Sequence, residues 1–284
     1  MNCGCLRMFA ALALLTVCSF ATAAPAAMIT DVTGAASLAE TGKARPAALL
    51  SYVEPGTSLR LGAGARLVLA FLSSPMEITL TGPAEGTVGS EGVALSRGAI
   101  STRSLQAARS DAARTFEPVQ RQRLAIATVE MRGVAGPRIV IEGPANTSVY
   151  SDAPLLAWRA LPGVASYRLV LSDASGTTLI DRSVSATRFT PPQPLAFGAS
   201  YQWRVEVNLP SGEPVSAQAA FSVIDAGRAK RIAALRPAAQ APFSERVLFA
   251  AQLESEGLAY EAKREWRALA SERDDPALRE WAER

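Results

Sequence analysis

Histidine is missing from the 284-residue chain, and its only three cysteines, Cys3, Cys5 and Cys18, lie within the first eighteen residues. The rest of the chain therefore offers no imidazole base, no thiolate nucleophile and no histidine or cysteine ligand for a metal. These absences exclude a Ser-His-Asp triad, a zinc hydrolase, a haem anchor and a redox cysteine pair. Carboxylate chemistry is the one common catalytic route that the composition leaves open.

Charged residues are also rare at the N-terminus, where Arg7 is the only one before Asp31. An apolar run over residues 8–20 follows Arg7 and leads to small residues around Ala23, an order typical of a secretory signal peptide. The run is shorter than the ~20 residues of a spanning helix, and Val17 is too large to precede a lipid-modified Cys18. We predict a signal peptide over residues 1–23 and a periplasmic or secreted protein.

The formal net charge is only +3, which gives no electrostatic reason to expect nucleic-acid binding. Phosphate loops, dinucleotide glycine fingerprints and calcium loops are missing, and no lysine has a serine three residues before it. The predictions are therefore no enzyme activity, no catalytic residues, no cofactor and no metal. A carboxylate glycosidase is the enzymatic alternative, although the acidic residues lie in predicted turns or a helix cap: Asp152, Asp173, Asp181, Asp274 and Asp275.

Residues 28–100 contain short alternating apolar runs separated by glycine and proline, which predicts about six antiparallel strands in a β roll or sandwich. Gly34, the Pro55-Gly56 turn and the closing Gly82-Pro83 resemble the FecR-like periplasmic β domain. The family's signalling members act through a transmembrane helix and a cytoplasmic anti-sigma segment. Since no later segment of this sequence has that character, we do not expect sigma-factor control.

Residues 101–137 carry six arginines against three acidic residues, and the β pattern fades there. We predict an arginine-rich connector with one strand over residues 124–131. Two interpretations stay open for it, a solvated connector or a basic strip that meets anionic headgroups or an acidic partner.

Residues 138–225 contain seven short strand patterns, and residues 195–201 resemble a tyrosine corner ending at Tyr201. This stretch resembles a fibronectin type III domain, which implies an antiparallel sandwich. Within it we predict that Trp158, Tyr167, Tyr201 and Trp203 form the core. The alternative is that Tyr201 and Trp203 stack on a glycan ligand.

After residue 225 the apolar period becomes helical. A linker over residues 226–242 includes a short basic helix, and a helical hairpin follows over residues 243–284, with Ser244 as its predicted N-cap. The pattern predicts a helix stop at Gly257, a second helix over residues 259–272, and a last helix capped by Asp275. Residues 252–262 resemble the helix junction of a tetratricopeptide repeat.

One such repeat is too small to be stable alone, because these arrays need about three repeats. The hairpin must therefore pack on the sandwich, pair with a second copy, or dock on a partner. We predict a protein interface at Trp281, Trp266, Tyr260 and Leu258, with Trp281 the hardest of these to bury. The alternative for Trp266 is the hairpin's own core.

The sequence thus predicts a mainly β fold with two small antiparallel β domains and a C-terminal helical hairpin. The function it favours is a non-enzymatic exported adaptor that makes protein contacts in the cell envelope. The expected partner is an envelope protein or a second copy held through the hairpin, with no nucleic acid and no stable membrane insertion after signal cleavage. A glycan- or peptidoglycan-binding module is the alternative.

Overall fold

A computed structural model describes residues 24–40, 42–105 and 137–283. The predicted signal peptide, the strand predicted over residues 124–131 and most of the arginine-rich connector lie outside the described residues. The described residues form sixteen strands followed by four helices. The predicted mainly β fold with a helical C-terminal part is confirmed.

The first eight strands form one antiparallel sheet, which we call the N-terminal sheet, in the order β3-β2-β5-β7-β6-β1-β4 with β8 paired to β7. Eight strands replace the predicted six, and β8 extends four residues into the predicted connector. The strands are β1 (Ala27–Thr33), β2 (Ala36–Glu40), β3 (Lys43–Pro46), β4 (Tyr52–Val53), β5 (Ser58–Leu61), β6 (Arg66–Phe71), β7 (Met76–Val88) and β8 (Val93–Ser104).

Strands β1 and β6 are buried on both faces. On one face Ile29 and Leu69 belong to the sheet's own core, together with residues from β2, β5 and β7. On the other face Met28 and Ala70 belong to a second cluster, which contains the C-terminal helices. Uninterrupted apolar strands are typical of sheets covered on both faces, and the helices provide the second cover here.

Residues 137–225 form a five-stranded sheet, β10-β16-β15-β12-β13, and a three-stranded sheet, β14-β11-β9, which we together call the sandwich. The two sheets enclose a separate core. Its strands are β9 (Ile141–Gly143), β10 (Thr147–Val149), β11 (Leu156–Trp158), β12 (Tyr167–Asp173), β13 (Thr178–Val184), β14 (Arg188–Phe189), β15 (Ser200–Asn208) and β16 (Pro214–Val223).

Two buried tyrosines bind the backbone of sandwich loops through their hydroxyl groups. The Tyr201 hydroxyl accepts a hydrogen bond from the Ala196 N–H at 2.8 Å, which confirms the contact predicted for the tyrosine corner. The Tyr167 hydroxyl accepts one from the Leu161 N–H at 2.7 Å. Each of these hydrogen bonds holds a loop against the sandwich core and contributes about 1 kcal/mol to the free energy of unfolding.

Four helices complete the described chain, α1 (Ala226–Ala234), α2 (Phe243–Ser255), α3 (Ala259–Glu272) and α4 (Pro276–Glu283). The predicted helix stop at Gly257 is confirmed by its φ of 70°, and Asp275 accepts a hydrogen bond from the Ala277 N–H. The predicted N-cap at Ser244 is wrong. Helix α2 begins at Phe243, with Pro242 in the N-cap position. Ser244 therefore lies inside the first turn, where it is buried.

Candidate functional site

Three of the four predicted interface residues are buried, and the fourth, Tyr260, is partly buried. Leu258 and Trp266 are fully buried, and Trp281 is 2 % exposed, so the expectation that Trp281 would be hard to bury is wrong. The ring centroids of Trp266 on α3 and Trp281 on α4 lie 5.7 Å apart. This agrees with the alternative that Trp266 belongs to the hairpin's own core. Tyr260 packs against the sandwich core instead. In this structure the four side chains serve contacts within the chain.

A single apolar cluster, which we call the helical core, joins the helices to the N-terminal sheet. The N-terminal sheet supplies Met28 and Ala70 to this cluster, and the segments next to its strands supply Leu49, Leu50, Leu72 and Leu105. Helix α2 is buried on nearly all sides, since nine of its 13 residues are buried. A helix that is apolar all round must be covered all round. The hairpin therefore packs on the N-terminal sheet. The sequence-based prediction offers the sandwich, a second copy or a partner as the packing surface, and does not include this sheet.

A buried carboxylate on β1 anchors the C-terminal end of α3 and the start of α2. Asp31 is 1 % exposed and forms ion pairs with Arg66 of β6, at 3.3 Å, and with Arg273, the residue that ends α3. The Arg273 guanidinium also lies 3.6 Å from the centre of the Phe243 ring, at the start of α2. An ionised carboxylate is stable in such a place because two cations and their N–H donors replace its water.

A second arginine cluster anchors the first turn of α2. Arg103 of β8 donates to the buried Glu77 of β7 at 2.7 Å and also pairs with Glu245 in the first turn of α2. Glu77 is 3 % exposed, whereas Arg103 is partly exposed. Glu77 and Arg103 pair across neighbouring strands, and the contact to Glu245 extends this pair to the helix. The helices are thus fixed to the sheet at two charged positions as well as by apolar packing.

Tyr260 of α3 makes the closest contact between the helices and the sandwich. Its hydroxyl donates to the Leu155 carbonyl at 2.7 Å, and its ring lies directly over Gly143. A Cβ atom at Gly143 would lie 2.2 Å from Tyr260 Cε2, and the glycine φ is +136°. Only glycine provides both the space and this backbone conformation. Tyr260 was a predicted interface residue, and the structure brings it to the sandwich of the same chain.

Glu261, the next residue of α3, makes the second polar contact with the sandwich. Its Oε1 accepts a hydrogen bond from the Tyr150 N–H at 3.0 Å, while the buried Oε2 has no hydrogen-bond partner among the described residues. The side chain is 7 % exposed. Burial raises the pKa of Glu261 to about 7, against the opposing effects of the nearby backbone N–H groups and of Arg264.

Four of these anchoring residues were missed by the sequence analysis: Asp31, Glu77, Gly143 and Glu261. A weak signal existed for the first two, because Asp31 is the single acidic residue of β1 and Glu77 lies between the apolar residues Met76 and Ile78 of β7. Acidic residues are almost never fully buried unless they are paired, so such a position predicts an arginine partner from elsewhere. Nothing local identifies the partner or the role of Gly143.

The aromatic residues considered as ligand platforms lie in the sandwich core. Trp203 is 1 % exposed and donates its Nε1–H to the Pro144 carbonyl at 2.9 Å, and Tyr201 is 4 % exposed and stacks on Phe221. Trp158 and Tyr167 are equally buried, as the core prediction requires. Neither Trp203 nor Tyr201 presents a ring face on which a sugar could stack.

The outer face of the five-stranded sheet carries an open groove of about 400 Å³. Three carboxamide side chains line it, those of Asn146, Gln202 and Gln218, and none of them makes a hydrogen bond within the described part of the chain. Arg204, also in the lining, pairs with Glu206 at 2.7 Å. The groove is therefore rich in free hydrogen-bonding groups and close to neutral in charge.

Among residues 24–40, 42–105 and 137–283, no three acidic side chains lie close enough together to hold a metal ion. Over the same residues, no helix has both the length and the apolar character needed to span a bilayer.

Comparisons with known proteins assign no family. No protein-family model matches the chain, and no curated protein matches its sequence.

Proposed function

We propose that the protein is a non-enzymatic exported scaffold that makes protein–protein contacts in the cell envelope. One observation supports this proposal most strongly: the same helices bind both the N-terminal sheet and the sandwich. Asp31 and Glu77 take part in the first contact, and Tyr260 and Glu261 make the second. A connection of this kind sets the spacing of two β surfaces, which is what a scaffold requires.

The proposed partner contact belongs to the exposed β surfaces rather than to the hairpin, whose predicted contact residues are buried. Large apolar side chains are exposed at Ile100 on β8, Leu179 on β13 and Phe197 before β15. Strands β8 and β13 each pair on one side only within the described residues, so each presents free backbone groups. An edge strand of this kind can accept an extended segment of a partner.

Site-specific photo-cross-linking in the cell envelope tests this proposal. A photoreactive amino acid is placed at Ile100, Leu179 or Phe197, with Gln240 in the exposed linker as the matched control position. We expect one discrete cross-linked envelope protein from at least one of the three sites and none from Gln240. The absence of a discrete product at all three sites, together with turnover in a glycosidase screen, would contradict the scaffold.

The neutral groove supports a second candidate function, a glycan-binding module. Carboxamides pair well with the hydroxyl and acetamido groups of amino sugars, and small residues such as Ala220 leave space for them. The site would use Gln202 and Gln218 rather than the buried Trp203 and Tyr201.

Calorimetric titration with N-acetylglucosamine oligomers tests this candidate. Binding that is lost in the double variant Gln202→Ala/Gln218→Ala but kept in Gln193→Ala, an exposed glutamine outside the groove, supports it. If the titration of the unmodified protein gives no binding heat, the glycan-binding function is excluded.

A further inference from the structure

The contact between α3 and the sandwich buries a titratable group, the Glu261 carboxyl, where a neutral side chain would cost less free energy to bury. We propose that this contact is a proton-sensitive clasp, in which protonation of the Glu261 carboxyl tightens the contact and ionisation loosens it. The proposal goes beyond the scaffold function, because it concerns how firmly the sandwich is held rather than what it binds.

The position of Glu261 is the first support for the clasp. Oε1 is held by the Tyr150 N–H, but Oε2 is enclosed without a hydrogen-bond partner among the described residues. A buried, ionised oxygen without a donor is costly, whereas a neutral carboxyl costs much less to bury. Opening the contact would return the carboxylate to water, so ionisation favours the open arrangement.

The surroundings of Glu261 do not neutralise it. The charged and titratable groups around its contact with Tyr150 are Arg264, Glu265 and Tyr260 on its own helix, Tyr150 from the sandwich and Arg236 after α1. None of these forms an ion pair with the Glu261 carboxylate in the described structure. Arg264 lies over the Tyr260 ring, 5.8 Å from its centre, and only partly offsets the cost of burial.

Few polar groups hold α3 to the sandwich, so the charge of Glu261 has a large effect on the strength of this contact. The sandwich has its own core, and among the described residues its polar bonds to α3 are the Tyr260–Leu155 and Tyr150–Glu261 hydrogen bonds, to which Tyr150 and Ile224 add apolar packing against the helical core. The N-terminal sheet, in contrast, remains bound to the helices through Asp31, Glu77 and the shared apolar cluster. Ionisation of Glu261 would therefore weaken the contact with the sandwich and leave the contact between the helices and the N-terminal sheet intact.

The direction of the pH dependence follows from the raised pKa of Glu261. In the closed contact the carboxyl titrates near pH 7, and in the open one it returns to its ordinary value near 4.5. The closed form therefore holds an extra proton between these two values. The contact is strongest in acid, weakens as the pH rises through this window, and changes no further above about pH 8.

A urea titration of the distance between the two β regions tests the clasp. Residues from 24 onward contain no cysteine, so the exported protein with Ser58→Cys and Thr178→Cys can carry a fluorophore pair at two exposed positions. Energy transfer reports separation of the sandwich, and the release midpoint is measured from pH 5 to pH 8.5. We expect the closed-to-open equilibrium constant to fall at least about tenfold over this range.

Two variants separate the clasp from general pH effects. Glu261→Gln imitates the protonated carboxyl, so its midpoint should stay nearly constant with pH and exceed that of the unmodified protein at pH 8. Glu265→Gln removes the same charge one turn along α3 and should behave like the unmodified protein. A pH-independent midpoint in the unmodified protein, or an equal pH dependence in Glu261→Gln, would overturn the proposal.

Discussion

The helices contact the N-terminal sheet through a continuous apolar cluster and two ion clusters around the buried carboxylates of Asp31 and Glu77. Their contact with the sandwich combines two hydrogen bonds and one glycine with apolar packing of Tyr150, Ile224 and Tyr260. In the first contact Met28 and Ala70 on the sheet share a core with α2 and α3. In the second, Tyr260 and Glu261 bind backbone groups of a domain that has its own core. The helices are thus an integral part of the N-terminal region and an attachment point for the sandwich.

The difference in burial implies a difference in cooperativity. Elements that share a core lose many contacts together when either one unfolds, whereas elements joined by a few polar bonds can separate and stay folded. We therefore expect two cooperative units, one of the N-terminal sheet with the helices and one of the sandwich.

The largest effect is expected from Trp266→Ala, which empties the centre of the helical core. Removing a fully buried tryptophan side chain costs about 3–5 kcal/mol of unfolding free energy. Hydrogen exchange should show lost protection in both α3 and β1, with β15 unchanged. Trp203→Ala in the sandwich core is the reciprocal variant and should weaken β15 while β1 stays protected. Loss confined to the helices in Trp266→Ala would show that the sheet is a separate unit.

Asp31→Ala should be next, because it leaves Arg66 and Arg273 without their buried acceptor. The Arg66 and Arg273 side chains are 45 % and 31 % exposed to water, so losing their bonds to the carboxylate should cost about 1.5–3 kcal/mol of unfolding free energy, without the larger penalty of an unpaired buried charge. Glu85→Ala is the matched control, since Glu85 pairs with Arg60 on the exposed surface of the same sheet and should cost under about 1 kcal/mol. Urea unfolding measures both values. Equal losses would contradict the anchoring role of Asp31.

Gly143→Ala should have a smaller effect on global stability and a selective effect on the sandwich contact. The new methyl group would collide with the Tyr260 ring, and the positive φ adds strain, together about 1–3 kcal/mol. Gly176→Ala is the control, because its φ is +88° but no atom lies within 4 Å of the added Cβ. Limited proteolysis near residues 257–261 should accelerate in Gly143→Ala alone. Equal rates in the two variants would mean that strain, not the collision, is responsible.

Local patterns were sufficient to predict the parts of the fold that depend on nearby residues. The predicted bounds of α3 agree with the structure, as do the Asp275 cap, the Tyr201 hydroxyl contact and the buried sandwich aromatics. Helix periodicity, cap chemistry and strand alternation all act over a few residues. The sequence therefore contains this information within short windows.

The packing of the hairpin could not be predicted in the same way, because its contacts join distant parts of the chain. Asp31 and Arg273 are 242 residues apart in sequence, and Arg103 and Glu245 are 142 apart. One signal was available, since residues 67–72 are apolar without alternation, which indicates a strand covered on both faces. It predicts a cover for that face but does not identify the covering element as α2.

Native-state hydrogen exchange on the unmodified protein tests the two-unit account most directly. Increasing urea concentrations, below the unfolding transition, reveal which amides open together. The account predicts that amides of β1, β6, α2 and α3 converge on one opening free energy and that those of β12 and β15 converge on another. If α2 and α3 instead open at lower urea than β1, as an independent arm, the claim that the helices and the N-terminal sheet form one unit is contradicted.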